Sequence, residues 1–195
     1  SYSSLSGTSV FWDFVELPSQ IMENWCYQPE ALALYAKHYE TAEVIPNELI
    51  QKIKKAAHFQ QGLQTLRQLS FAYLDLSFHD QHANRIKDVK QHEKEQIQHL
   101  QFTKDIAENC LSTAFSHIFQ GGYSAGYYSY KWAEVLDADA FELFLEKGIF
   151  DGPTAHAFLK HILSKGGTEH PMTLYKRFRG KEPDPSALLR RAGLT

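Results

Sequence analysis

Two tyrosines three residues apart, Tyr127 and Tyr130, close a run in which glycines alternate with aromatic residues: Phe115-Ser-His117-Ile-Phe-Gln-Gly121-Gly122-Tyr123-Ser-Ala-Gly126-Tyr127-Tyr128-Ser-Tyr130. On a helix this spacing puts both phenols on one face. Two phenolic hydroxyls aimed at one point can donate hydrogen bonds to an oxyanion as its charge develops. Glycines such as Gly121 and Gly122 let the backbone adopt unusual dihedrals and approach a ligand closely. The same residues also suit aromatic packing around a tight turn, so residue type alone leaves both readings open.

A second candidate is Asp13-Phe-Val-Glu16-Leu-Pro-Ser-Gln20. Helical spacing aligns Asp13, Glu16, Gln20 and Glu23 along one side, as either a solvated face or, at Glu16, an oxygen ligand for a metal. One carboxylate does not make a zinc site alone. The ten histidines do not fill the gap. Two histidines four apart on a helix, with glutamate between, would mark a zinc peptidase. Here His92-Glu93 is followed by Gln96, His79 and His82 are three apart, and His156 and His161 are five apart. These are expected to be surface or locally bonded histidines.

The elements that must position these groups read as helices. Apolar residues recur at helical spacing from Phe11 to Tyr27, interrupted by Pro18, which either kinks one helix or starts a second. Pro29 opens another helix, and Pro46 repeats the device. Gly62 to His79 carries a stripe of Leu63, Leu66, Leu69, Ala72, Tyr73 and Leu76. Asp80 to Thr103, with charged and imidazole side chains packed into Gln91–Glu95, reads as an exposed helix or connection. Trp132 to Phe150 resumes helical spacing with Gly148 as C-cap. Ala155 to Ser164 is a further helix stopped by Gly166-Gly167. The tail holds a short basic helix, a proline-containing loop and a last helical turn. Residues 1–10 read as loop or a short strand, and no sustained strand alternation is present. The expected class is all-α.

Composition excludes several functions. Apolar residues make up 43% and charged residues 22%, so wholesale disorder is excluded. A net charge of −3 argues against a nucleic-acid or membrane-surface partner. No apolar stretch is long enough to span a bilayer. Cys26 and Cys110 form neither a disulfide framework nor a four-cysteine zinc site, and the N-terminus lacks signal-peptide features, so a cytoplasmic setting is expected.

Several segments, in order, resemble the thimet oligopeptidase family of zinc metallopeptidases. Ser6-Gly-Thr8, Asp13-Phe-Val-Glu16-Leu-Pro-Ser-Gln20 and Glu23-Asn-Trp25 resemble the stretch just after that family's zinc motif. His117 to Tyr130 resembles its substrate-side loop. Gly166-Gly167, Tyr175-Lys-Arg-Phe-Arg-Gly180 and Glu182-Pro183 resemble its C-terminal end. Glu23-Asn-Trp-Cys26, Pro29-Glu-Ala-Leu32 and His38-Tyr-Glu-Thr41 point to the bacterial oligopeptidase A branch, with peptidyl-dipeptidase as the neighbouring alternative. The likeness runs from about Ser6 to Leu194.

By position, the resemblance implies that Glu16 is a zinc ligand, that Tyr127 and Tyr130 bind substrate and stabilise the tetrahedral intermediate, and that His117 contacts the substrate backbone. It makes Tyr123, Gly121 and Gly122 part of a flexible substrate-binding loop. The family's His-Glu-x-x-His helix lies upstream of the Ser-Gly-Thr segment. Residues 1–195 are therefore expected to be one C-terminal segment of a helical catalytic domain, inactive alone and free of zinc, and prone to self-association through faces the complete protein covers. The expected activity of the complete enzyme is hydrolysis of short peptides by zinc-activated water. No role is assigned to Arg177 or Arg179. The reading from another class is a helical peptide-binding scaffold, with Glu16 solvated and the tyrosines packed.

Overall fold

The computed structural model describes residues 2–103 and 106–195. Among these residues the regular structure is helical, as expected, with an isolated antiparallel bridge between Lys37 and Val44. In chain order the α-helices are α1 (Trp12–Val15), α2 (Leu17–Glu23), α3 (Pro29–Tyr35), α4 (Asn47–Ala57), α5 (Gln61–Phe78), α6 (Val89–Ile97), α7 (Ser116–Phe119), α8 (Ser129–Lys147), α9 (Gly152–Phe158), α10 (Pro171–Arg179) and α11 (Ser186–Arg191). The chain divides into two compact units, Ser1–Gln61 with Ala133–Thr195, and Gly62–Trp132.

In the first unit, Pro18 starts a helix rather than kinking one. α1 stops at Val15, Glu16 sits at the junction, and α2 begins with Pro18 in its first turn, where no amide donor is needed. Pro29 and Pro171 act likewise at α3 and α10. Pro46 instead occupies the position just before α4. The helix expected from Ala155 begins earlier, at Gly152, because the Asp151 carboxylate accepts the Thr154 amide at 2.8 Å and caps it. It continues as a π turn over Leu159–Leu163.

The core of this unit is α8, buried almost without a break from Ala133 to Phe141. A helix buried on all sides shows little amphipathic periodicity. Trp25 packs edge-on against Phe141 and Phe144, with ring centroids 4.7 and 4.9 Å away, and its indole N–H donates to the Ile149 carbonyl at 2.9 Å. Buried charge persists here because it is paired. Asp137 accepts from the Asn24 amide at 2.9 Å and pairs with Arg191. Burial pushes the Asp137 carboxyl up, and Arg191 and Asn24 oppose that rise. Asp139 faces Arg179 at 3.4 Å and Lys181 at 3.2 Å. Arg177 grips Glu169 with both guanidinium nitrogens, at 2.7 and 2.6 Å. Both tail arginines thus have partners within this unit. A Cβ on Gly166 or Gly167 would lie 1.9 Å from the Leu5 carbonyl oxygen or 2.2 Å from that of Ser9, so the N-terminal segment seats against this glycine pair.

In the second unit, Leu74, Ile97, Phe115 and Ile118 form the core, flanked by Phe71, Phe78, Leu111 and Tyr127. The buried side of α5 is offset from the expected stripe. Ser70, Ala72, Leu74 and Asp75 are buried, whereas Leu63, Leu66, Tyr73 and Leu76 are exposed. α6 is not a wholly exposed helix either, because Glu93 and Ile97 are buried.

Candidate active site

The glycine–tyrosine segment is a chain of turns between α7 and α8. The Tyr123 amide donates to the His117 carbonyl at 3.0 Å and the Gly126 amide to the Tyr123 carbonyl at 2.8 Å. Gly122 has φ +84°, and a Cβ on Gly121 would lie 2.8 Å from His117 Cα. Both positions therefore demand glycine, one for its dihedral and the other for the close backbone approach. Tyr127 lies in the turn and Tyr130 is the second residue of α8. The expectation of both phenols on one helix holds only for Tyr130, yet the Tyr130 amide still donates to the Tyr127 carbonyl at 3.3 Å and keeps the pair together.

Four rings of this segment form one cluster. Tyr127 and Tyr130 meet edge to face with centroids 5.1 Å apart, and Tyr123 stacks on Tyr130 at 4.8 Å. The His117 ring stands 5.9 Å from Tyr127, 6.5 Å from Tyr130 and 6.2 Å from Tyr123. The three tyrosines are half-buried and His117 is exposed. Burial pushes the Tyr127 phenol above its ordinary range, Tyr130 adds to this, and Arg67 opposes it. A phenol is protonated at neutral pH in any case, and the shift only moves its ionisation further away, so Tyr127 can donate its proton in a hydrogen bond. At present it points that proton at Gln68 Oε1 over a long 3.4 Å. A charged acceptor would compete well with so long a bond.

The supporting residues come from α5 and α6. Asp75, fully buried on α5, accepts the Ala125 amide at 2.9 Å and the Tyr127 amide at 2.8 Å. Glu93, buried on α6, accepts the Leu111 and Ser112 amides at 2.9 and 2.7 Å, and the Ser112 hydroxyl at 2.5 Å. Burial alone would raise the Glu93 carboxyl, but the Ser112 and Leu111 donors outweigh it and hold the group below its usual range. The sequence analysis did not single out Asp75 or Gln68, and it weighed Glu93 only as part of a zinc motif that is not completed. One signal was available for Asp75: a lone acid three residues after Ala72, on the buried side of an apolar helix, needs fixed donors.

Glu16 belongs to the first unit and is half-buried between α1 and α2, with the Ser19 hydroxyl donating to its Oε2 at 2.9 Å. The expected line of Asp13, Glu16, Gln20 and Glu23 is broken there into two helices. Among the described residues no three His, Cys, Asp or Glu side chains converge to hold a metal. Glu16 and its neighbours do not by themselves fit a catalytic zinc, which takes three protein ligands. Some histidines are locally engaged, His92 with the Ser77 hydroxyl at 2.9 Å and His79 with the Asp75 carbonyl at 2.8 Å.

The sequence matches the model of "Peptidase family M3" over residues 1–194. It is 49% identical to oligopeptidase A of Haemophilus influenzae over 187 residues, covering 94% of this chain and 27% of that protein. It is 48% identical to oligopeptidase A of Escherichia coli over 197 residues, with 98% and 28% covered. The dipeptidyl carboxypeptidase of Escherichia coli is 38% identical over 203 residues, with 99% and 29% covered. The chain thus spans little more than a quarter of the length of these relatives. With a family match along nearly its whole length and an all-helical fold carrying the expected tyrosine loop, the chain belongs to peptidase family M3.

Proposed function

We propose that this chain is the tyrosine-bearing part of a metallopeptidase that hydrolyses short peptides. The observation that carries the reading is the clustering of Tyr127 and Tyr130 beside His117 and Tyr123. A peptide lying along the cluster has its backbone met by His117 and Tyr123. The Tyr127 and Tyr130 hydroxyls donate to the scissile carbonyl oxygen as negative charge builds on it, each worth about 3 kcal/mol. Gly121 and Gly122 let the backbone of the loop come close to the peptide.

Glu16 is proposed as one oxygen ligand of the zinc that the family resemblance implies, alongside ligands not present in this chain. The oligopeptidase A relatives support an endopeptidase over the removal of C-terminal dipeptides that a dipeptidyl carboxypeptidase name implies. The free thiols of Cys26 and Cys110 support a reducing compartment such as the cytoplasm. Among the described residues no helix is long and apolar enough to cross a membrane.

The test is incubation of the complete natural protein with a short unstructured peptide, followed by mass spectrometry. Cleavage into two internal products is expected. A peptide that binds and stays intact overturns the peptidase reading in favour of a binding scaffold, and release of only C-terminal dipeptides assigns the dipeptidyl carboxypeptidase specificity instead.

A further inference from the structure

The turn that carries the tyrosines takes its shape from a group outside it. The Tyr123 and Gly126 amides are satisfied by carbonyls of their own segment, His117 and Tyr123. The amides of Ala125 and Tyr127 instead go to α5, where each finds one oxygen of the same Asp75 carboxylate. Ala125 has φ +55°, a left-handed conformation that disfavours a side chain and must be held by its surroundings. Two turns earlier on α5, Gln68 Oε1 accepts from the hydroxyl of that same Tyr127. One helix therefore grips Tyr127 at both ends, backbone and phenol. His79 Nδ1 stands 2.9 Å from Asp75 Oδ1, the oxygen that also accepts the Ala125 amide. Asp75 itself is fully buried, so no solvent competes for its oxygens.

We propose that Asp75 is a positioning residue of the peptidase, clamping the Ala125–Tyr127 turn so that the Tyr127 and Tyr130 phenols stand where the oxyanion forms. The role rests on the peptidase reading above. It also follows from chemistry. A carboxylate accepts two amides at once, whereas the isosteric carboxamide offers one oxygen and presents an N–H₂ to the second donor. Loss of one anchor frees the turn, and a shift of about 1 Å in a catalytic group costs on the order of 100-fold in rate.

Two measurements test this. In the complete natural protein, hydrogen–deuterium exchange read by mass spectrometry at single-residue resolution should show slow exchange at Ala125 and Tyr127, fast exchange there in Asp75→Asn, and unchanged protection at Leu111 and Ser112, which Glu93 holds. Unchanged protection at Ala125 and Tyr127 in the variant overturns the clamp. In the complete natural protein, Asp75→Asn should lower kcat about 10- to 100-fold and move KM less than about threefold. A raised KM with kcat intact, or no kinetic change despite freed amides, overturns the positioning role. Asp75→Glu keeps both acceptor oxygens one methylene out of place, and its kcat should fall between those of wild type and asparagine. If the asparagine variant does not fold, wild-type kcat in the glutamate variant overturns the proposal. A wild-type protein that cleaves no peptide removes the reaction but leaves the exchange measurement to decide the clamp.

Discussion

Tyr175 and Tyr127 show how burial sets single side chains. The Tyr175 hydroxyl lies 2.7 Å from Asp139 Oδ2 and 3.0 Å from the Leu136 carbonyl, and the side chain is fully buried. Burial, with the Asp139 carboxylate next, raises its pKa far above the ordinary value of 10.0. The folded state therefore keeps a proton that the unfolded chain releases. Stability is intact below pH 10 and falls as pH rises beyond it, by about 1.4 kcal/mol per pH unit for each such group. Urea unfolding between pH 9 and about 11 should show this slope, and Tyr175→Phe should flatten it by about that amount. The Tyr127 phenol is also pushed above its ordinary range, for the same first reason, burial, but its side chain is only half-buried.

At the scale of elements, the turns depend on acids from neighbouring helices. Glu93→Gln on α6 loosens the 3-10 turn at Leu111–Ala114, just before Phe115, whose ring packs 5.1 Å from Tyr127. The expected loss is about 1–3 kcal/mol at pH 7, measured by chemical unfolding. Because the Glu93 carboxyl is depressed, its contribution is present above its ordinary value of 4.5 and disappears as pH falls through the folded value. The difference between wild type and Glu93→Gln should therefore shrink in acid.

Helix existence was legible from period and proline: the start of α2 at Pro18, α3 at Pro29 and the stop at Gly148 all follow local rules. The buried face of α5 was not legible. Its leucines Leu63, Leu66 and Leu76 repeat at helical spacing yet face solvent, while Asp75 is buried because distant amides need it. The members of the tyrosine cluster were readable as residues. Their grip by Gln68 and Asp75 was not, since it joins positions 50 or more apart in sequence.

At the scale of the molecule, large apolar side chains stand in solvent among the described residues: Phe11, Leu34, Phe59 and Phe102 are each more than 60% exposed. Exposed side chains of this kind favour association in water where they are contiguous. Size-exclusion chromatography with light scattering should give a mass above 22.4 kDa for this chain alone, and a clean monomer at all concentrations would contradict it. The catalytic role proposed for the phenols belongs to this scale as well, because it is read only in turnover by the complete natural protein. The most direct measurement is kcat for a short peptide with Tyr130→Phe, which deletes one hydroxyl and keeps the ring stacked on Tyr123. The expected result is a fall of about 100-fold or more with KM little changed. Turnover equal to wild type would contradict the oxyanion role of the tyrosine pair.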